Sequence, residues 1–299
     1  MNGHSPVTKN PVTITRIMNP RNLLFIIFSI IVFMIFYAPF SELWVLSSDD
    51  ELYSHIFGIP LISAYFFYLK RREIFQNITY SFSSGIIVLI AGSVLYMAGL
   101  SQGLRLTQND YLSLVTFTAV LTWIGGFILF YGIESVKSNL FPFLFLFFMV
   151  PIPGFIVERV ISFLQIGSTE VAYGFFKLTG IPLLRYGFVF HLPGLSIEVA
   201  EQCSGIRSSI ALLITSIMAG QLFLKSASRK IVLALVIIPI TIFKNGLRIV
   251  TLSLLGVYVD QNILSSSLHK KGGIPFFFLS LIFLGAILWL LRRADKRDG

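Results

Sequence analysis

The chain has 299 residues, 55% of them apolar and only 12% charged, with a formal net charge of +9. That balance excludes a water-soluble domain built around a single core and places the protein in a membrane. One cysteine, Cys203, excludes an intramolecular disulfide and a CxxC-type metal site, and no motif calls for a metal or a cofactor.

A helix needs about 20 mostly apolar residues to cross a hydrocarbon layer of roughly 30 Å. In chain order the apolar runs predict spans over 22–41, 52–69, 78–101, 111–133, 138–157, 204–224 and 272–291. An eighth, 231–259, opens with the uncharged stretch Ile231 to Phe243 and then carries Lys244 and Arg248 in a polar outer half. The first run begins only after Arg21, exceeds an ordinary signal-peptide core and is followed by further spans, so it reads as a retained helix.

Basic residues in short loops stay cytoplasmic. Lys9, Arg16 and Arg21 precede the first span, Lys70, Arg71 and Arg72 follow the second, and Lys137 follows the fourth. Lys225, Arg229 and Lys230 follow the sixth, and Arg292, Arg293, Lys296 and Arg297 end the chain. Eight spans with both termini inside put all of these in the cytoplasm and the acidic run Ser48 to Glu51 outside. The positive charge is thus a topology signal of a multi-pass protein of the cytoplasmic (inner) membrane, contacting lipid and not nucleic acid.

The expected fold is an all-α integral membrane protein of about eight transmembrane helices, read as one membrane domain over 1–299. Within it, 1–21 is a cytoplasmic tail, 22–150 the N-terminal helices, 151–203 an irregular outer segment, 204–291 the helices carrying the chemistry, and 292–299 a basic tail. No soluble accessory domain is expected after the last span. The irregular segment begins at the breaker Pro151-Ile152-Pro153-Gly154, and its charges exclude it from lipid-facing hydrocarbon. Its first half, 155–179, has apolar residues at helical spacing and predicts an interfacial helix. Its second half, Gly187 to Val199, alternates strand formers around Pro193-Gly194 and predicts a small hairpin.

The hairpin delivers the chain into Ala200-Glu201-Gln202-Cys203-Ser204-Gly205-Ile206-Arg207. A lone cysteine in a membrane helix is most often a small packing residue. Cys203 departs from that because it is expected at the start of an inward-running helix, where unpaired N–H groups, the positive end of the dipole and Arg207 one turn on favour a thiolate. Arg248 lies about 25 Å along its helix from Ile231 at 1.5 Å per residue, near the same outer surface. His269 precedes the last span in an outer loop with Lys270 and Lys271. Acyl transfer needs such a nucleophile, acid–base group and cation together.

Each of these has an ordinary alternative: Arg248 snorkelling to headgroups, His269 as a plain loop residue, the two lysines on lipid phosphates. Lys244 and Arg248, at i and i+4 around Asn245, share a face that cannot point at lipid, with Glu198, Glu201 or a substrate carboxylate as expected partner. His191 and His55 are rival bases; His4 falls on the cytoplasmic side.

At these residues the sequence resembles the exosortase and archaeosortase family of membrane sorting enzymes, on Phe141-Pro142 through Pro151-Ile152-Pro153, the run Leu195 to Ser209, Asn245-Gly246-Leu247-Arg248 and the late His269. The resemblance covers the chain from about Phe141 onward. It implies a catalytic Cys, Arg and His at Cys203, Arg248 and His269; beside them Glu201, Arg207, Lys244 and Asn245 are expected to bind substrate or support the site. It also implies substrates that are exported proteins whose C-terminal tail joins a short motif, a transmembrane helix and a basic cluster, cleaved and passed to a surface acceptor. Without the resemblance, an anion transporter using Lys244 and Arg248, or a membrane scaffold for surface-polymer assembly, fits the same pattern.

Overall fold

A computed structural model describes residues 19–76, 78–100, 106–260 and 273–297. They form an all-α fold with one small sheet, and contacts within the chain gather in two compact units, Met1–Gly154 and Phe155–Gly299, where the sequence reading takes a single domain.

The first unit holds α1 (Pro20–Ile35), α2 (Tyr37–Asp49), α3 (Gly58–Ile74), α4 (Phe82–Leu100), α5 (Gln108–Tyr131), α6 (Ile133–Ser138) and α7 (Phe141–Phe145), the last running into a 3₁₀ turn, Leu146–Met149. The expected first span is broken at Phe36, where α1 and α2 meet at 67°. The expected span 138–157 is not one helix: Asn139 interrupts it after α6, and the extended backbone at Val150 before Pro151 ends the 3₁₀ turn. Helix α4 packs on α5 through Gly85, Gly92 and Gly99; a Cβ on Gly85 would lie 2.6 Å from Leu129 Cβ. Small residues at this spacing let two apolar helices approach closely where no hydrophobic effect separates them from lipid. Phe127, Tyr131, Phe143 and Ile74 centre an aromatic-rich core.

The second unit contains α8 (Gly154–Thr179), strands β1 (Leu184–Tyr186), β2 (Val189–Leu192) and β3 (Leu195–Glu198), then α9 (Ile206–Phe223), α10 (Ala227–Leu235), α11 (Ile237–Tyr258) and α12 (Gly273–Arg297). The expected hairpin is β2–β3, antiparallel with Leu192 opposite Leu195 across Pro193-Gly194, and β1 adds a third strand on the β2 edge. The expected interfacial helix is α8, 26 residues long. Phe190, Leu192 and Val199 from the sheet segment pack with Ala172 and Phe176 of α8 and Ile249 and Val250 of α11. The loop from α9 to α10 is pinned by Asp295 of α12, which accepts from Lys225 N–H at 2.5 Å and pairs with Arg229.

Among the described residues, five helices are long and apolar enough to cross a membrane, or seven if each of two bent helix pairs counts as one span. Each of the five single helices overlaps an expected span, 78–101, 111–133, 204–224, 231–259 and 272–291 in turn; the expected 22–41 and 138–157 are the broken segments described above, and α3, at 17 residues, is short for a crossing.

Candidate active site

The backbone approaching Cys203 is held from two helices. Val199 N–H donates to Phe188 O at 2.9 Å, and Val199 O accepts from the buried Gln165 Nε2 of α8 at 2.6 Å. A 3₁₀ turn, Glu201–Cys203, follows, closed by Cys203 N–H to Ala200 O at 2.8 Å. Cys203 O then accepts from Asn245 Nδ2 of α11, which also donates to Ser168 Oγ of α8 at 3.1 Å.

Helix α9 begins after Gly205, whose φ of 80° is the left-handed conformation that glycine adopts without a Cβ clash. A Cβ there would lie 3.4 Å from the Asn245 side chain and 3.6 Å from Lys244 Nζ, so the reversal passes directly over these two residues. Cys203 therefore sits in the turn before the helix and not at its first residue, because the glycine reversal intervenes.

Cys203 and Arg248 line the same cavity, with Glu198, Val199, Asn245 and Ser253 among its other walls. It measures about 40 Å³, room for roughly three waters and not for a peptide. Both residues are half-buried, and Asn245 is fully buried. One face of α11, carrying Thr241, Lys244, Asn245, Leu252 and Ser253, is turned into the protein, as the i, i+4 pattern requires of cations excluded from lipid.

Other expected residues fall elsewhere. Lys244 is buried, but its partner is Ser208 Oγ of α9 rather than Glu198 or Glu201, because the first turn of α9 crosses above it. Glu201 and Arg207 are exposed and do not line the cavity. His191 is exposed on β2, its Nδ1 2.8 Å from Ser196 Oγ across the hairpin, away from the cavity lining. His55 belongs to the first unit. His269, Lys270 and Lys271 lie outside the described residues. Among the described residues, no group of His, Cys, Asp and Glu is placed to hold a metal ion.

Sequence reasoning missed Gln165 and Ser168. Their signal was present: with Leu164, Thr169, Ala172 and Phe176 they form the buried stripe of α8, so polar side chains occupy positions that helical periodicity assigns to the interior.

A family model described as Transmembrane exosortase (Exosortase_EpsH) matches residues 44–286. The chain belongs to the transmembrane exosortase family. The match takes in α8, the sheet, the turn at Cys203, Arg248 and His269 alike, and extends through most of the first unit. No curated protein and no solved structure matches the chain.

Proposed function

We propose that this exosortase-family protein is a membrane cysteine transpeptidase or endopeptidase that removes the C-terminal membrane-anchoring signal of exported proteins at the outer face of the membrane. The observation that carries the reading is the convergence of Cys203 and Arg248 on one cavity, beside a backbone clamped by Asn245.

In this mechanism Cys203 Sγ, as thiolate, attacks the scissile carbonyl carbon, and Arg248 stabilises the tetrahedral oxyanion. Collapse breaks the C–N bond; His269 gives its proton to the leaving amine, and a thioester joins Cys203 to the exported protein. His269 then takes a proton from the incoming nucleophile, which displaces the thiolate. An amine on a surface acceptor yields transfer and water yields proteolysis; exclusion of water near the bilayer would favour transfer. A substrate tail that is itself a transmembrane helix would present its scissile bond at a fixed depth.

The test is Cys203→Ala in cells expressing a tailed substrate, with mass spectrometry for a thioester-linked peptide on Cys203 of a His269→Ala chain. Loss of processing at normal protein level, together with the trapped adduct, is the expected result. Unchanged processing in Cys203→Ala sinks the proposal, and a defect confined to Lys244→Ala would favour an anion transporter.

A further inference from the structure

The first unit contains a second cavity that the chemistry above does not use. It measures about 490 Å³ and is walled by Phe25, Phe33, Phe67, Phe75, Trp123 and Phe127 among other apolar residues from α1, α2, α3 and α5. Its two hydroxyls are satisfied within the protein: Ser63 Oγ donates to Pro142 O at 2.6 Å, and Ser29 Oγ donates to Phe25 O at 2.9 Å while accepting from Trp123 Nε1 at 3.2 Å. The wall therefore asks nothing polar of an occupant.

Phe75, at one end of this cavity, is also a wall of a polar one of about 810 Å³ whose other linings include Asn19, Asn22, Arg71, Arg72 and Tyr131. Both arginines are exposed. Arg71 donates to Tyr68 O and lies 4.1 Å over the Tyr68 ring, which uses one edge of its guanidinium. Arg72 makes no hydrogen bond or ion pair among the described residues, although Glu73 is adjacent and is occupied by Lys70 and Asn139.

An apolar cavity that shares its Phe75 wall with a neighbouring cavity lined by two arginines has the layout of a single amphiphile with an anionic head. We propose that this unit binds an anionic phospholipid of the surrounding bilayer, one acyl chain beside Phe67 and Trp123 and the phosphate on Arg71 and Arg72. The cavity follows α3 from Pro60 to Phe75, about 22 Å at 1.5 Å per residue. One leaflet's hydrocarbon is roughly 15 Å deep, half of the whole layer, so the lining is long enough to follow one acyl chain through the full depth of its leaflet. On the positive-inside reading of Lys70, Arg71 and Arg72 the head lies in the cytoplasmic leaflet, where anionic lipids and basic pockets between helices meet. The site is independent of the catalytic reading.

The test uses the full chain purified in detergent, with lipid retention read by native mass spectrometry and by the shift in melting temperature. Phosphatidylglycerol, phosphatidylcholine with the same chains, inorganic phosphate and a polyprenyl phosphate serve as probes. Phosphatidylglycerol should be retained in preference to phosphatidylcholine, and Arg71→Ala with Arg72→Ala should weaken its binding about 30-fold, as expected for two lost lipid-facing charges. Ala64→Trp, which fills the cavity from an exposed position on its wall, should abolish retention while leaving the arginines in place, and serves if the double variant loses its fold. Equal retention of the two phospholipids, an unaffected Ala64→Trp chain, full competition by inorganic phosphate, or preference for the polyprenyl phosphate would each overturn the proposal.

Discussion

The side-chain amide of Asn245 donates to the backbone oxygen of Cys203, 42 positions away in sequence. The same nitrogen reaches Ser168 on α8, so one buried amide ties the cysteine turn to both helices that flank it. Asn245→Ala removes that donor and leaves a carbonyl unsatisfied, at about 1–3 kcal/mol. If the clamp sets the position of the nucleophile, substrate turnover falls roughly 10- to 100-fold. Asn245→Asp is expected to be worse, since a carboxylate cannot donate and repels the carbonyl it faces. Turnover equal to the parent protein in both variants would remove the clamp from the mechanism.

Gln165 acts on the same stretch of chain from the other side. Its Nε2 is the donor to the buried Val199 oxygen, four residues before Cys203. Gln165→Leu keeps the volume but orphans that oxygen, and we expect it to destabilise the second unit by about 1–2 kcal/mol, read as a lower melting temperature in detergent. Gln165→Glu accepts where a donor is needed and should be at least as harmful. A melting temperature unchanged in both would show that Val199 is held by the sheet alone.

The crossing of α8 and α11 depends on Gly246. A Cβ there would stand 2.6 Å from Val171 Cγ1 and 3.1 Å from Ala172 N. Gly246→Val should therefore push the helices apart, costing about 1–3 kcal/mol as overpacking does, and should impair processing by displacing its neighbour Asn245. Gly174, on α8 with nothing within 4 Å of its missing Cβ, is the control: Gly174→Ala should be neutral or stabilising by up to about 1 kcal/mol. Equal effects from the two substitutions would contradict the crossing.

His55 supplies a pH test in the first unit. Burial lowers its pKa below the ordinary 6.5, outweighing hydrogen bonds to the Leu52 and Phe148 backbones that favour the charged ring. The unfolded chain then binds a proton that the folded chain does not, so stability rises with pH across that interval. The contribution is complete above about pH 6.5 and is lost as pH falls through the lower folded-state value. Denaturant unfolding in detergent should show this slope, and His55→Gln should flatten it; an identical pH dependence in both chains rules out His55 as its source.

Much of the fold was legible because lipid imposes a simple constraint: long apolar runs such as 108–131 and 206–223 have few structural outcomes. The hairpin was legible for a related reason, since Pro193-Gly194 between alternating strand formers fixes its turn. What escaped was tertiary. Strand β1 is only Leu184–Tyr186, too short for its alternation to stand out; it pairs along the edge that β2 offers. The break at Phe36 falls one turn before Pro39, which has no N–H to offer the Ile35 carbonyl and whose ring crowds it, but hydropathy runs straight through it. For the site, topology and charge brought Cys203 and Arg248 to one level, and they do share a cavity. The same reasoning assigned Lys244 an acidic partner because charge is visible in sequence, whereas the hydroxyl of Ser208 that meets it is visible only once α9 is docked.

The two donors that hold the cysteine turn come from opposite ends of the chain's order of synthesis. Gln165 is made before Cys203 and Asn245 well after it, so α8 can grip Val199 while the turn's other anchor has yet to be translated. A chain halted anywhere between Cys203 and Asn245 carries its thiol on a turn fastened at one end only. The Cys203 turn thus gains its second fastening only once Asn245 of α11 has been made.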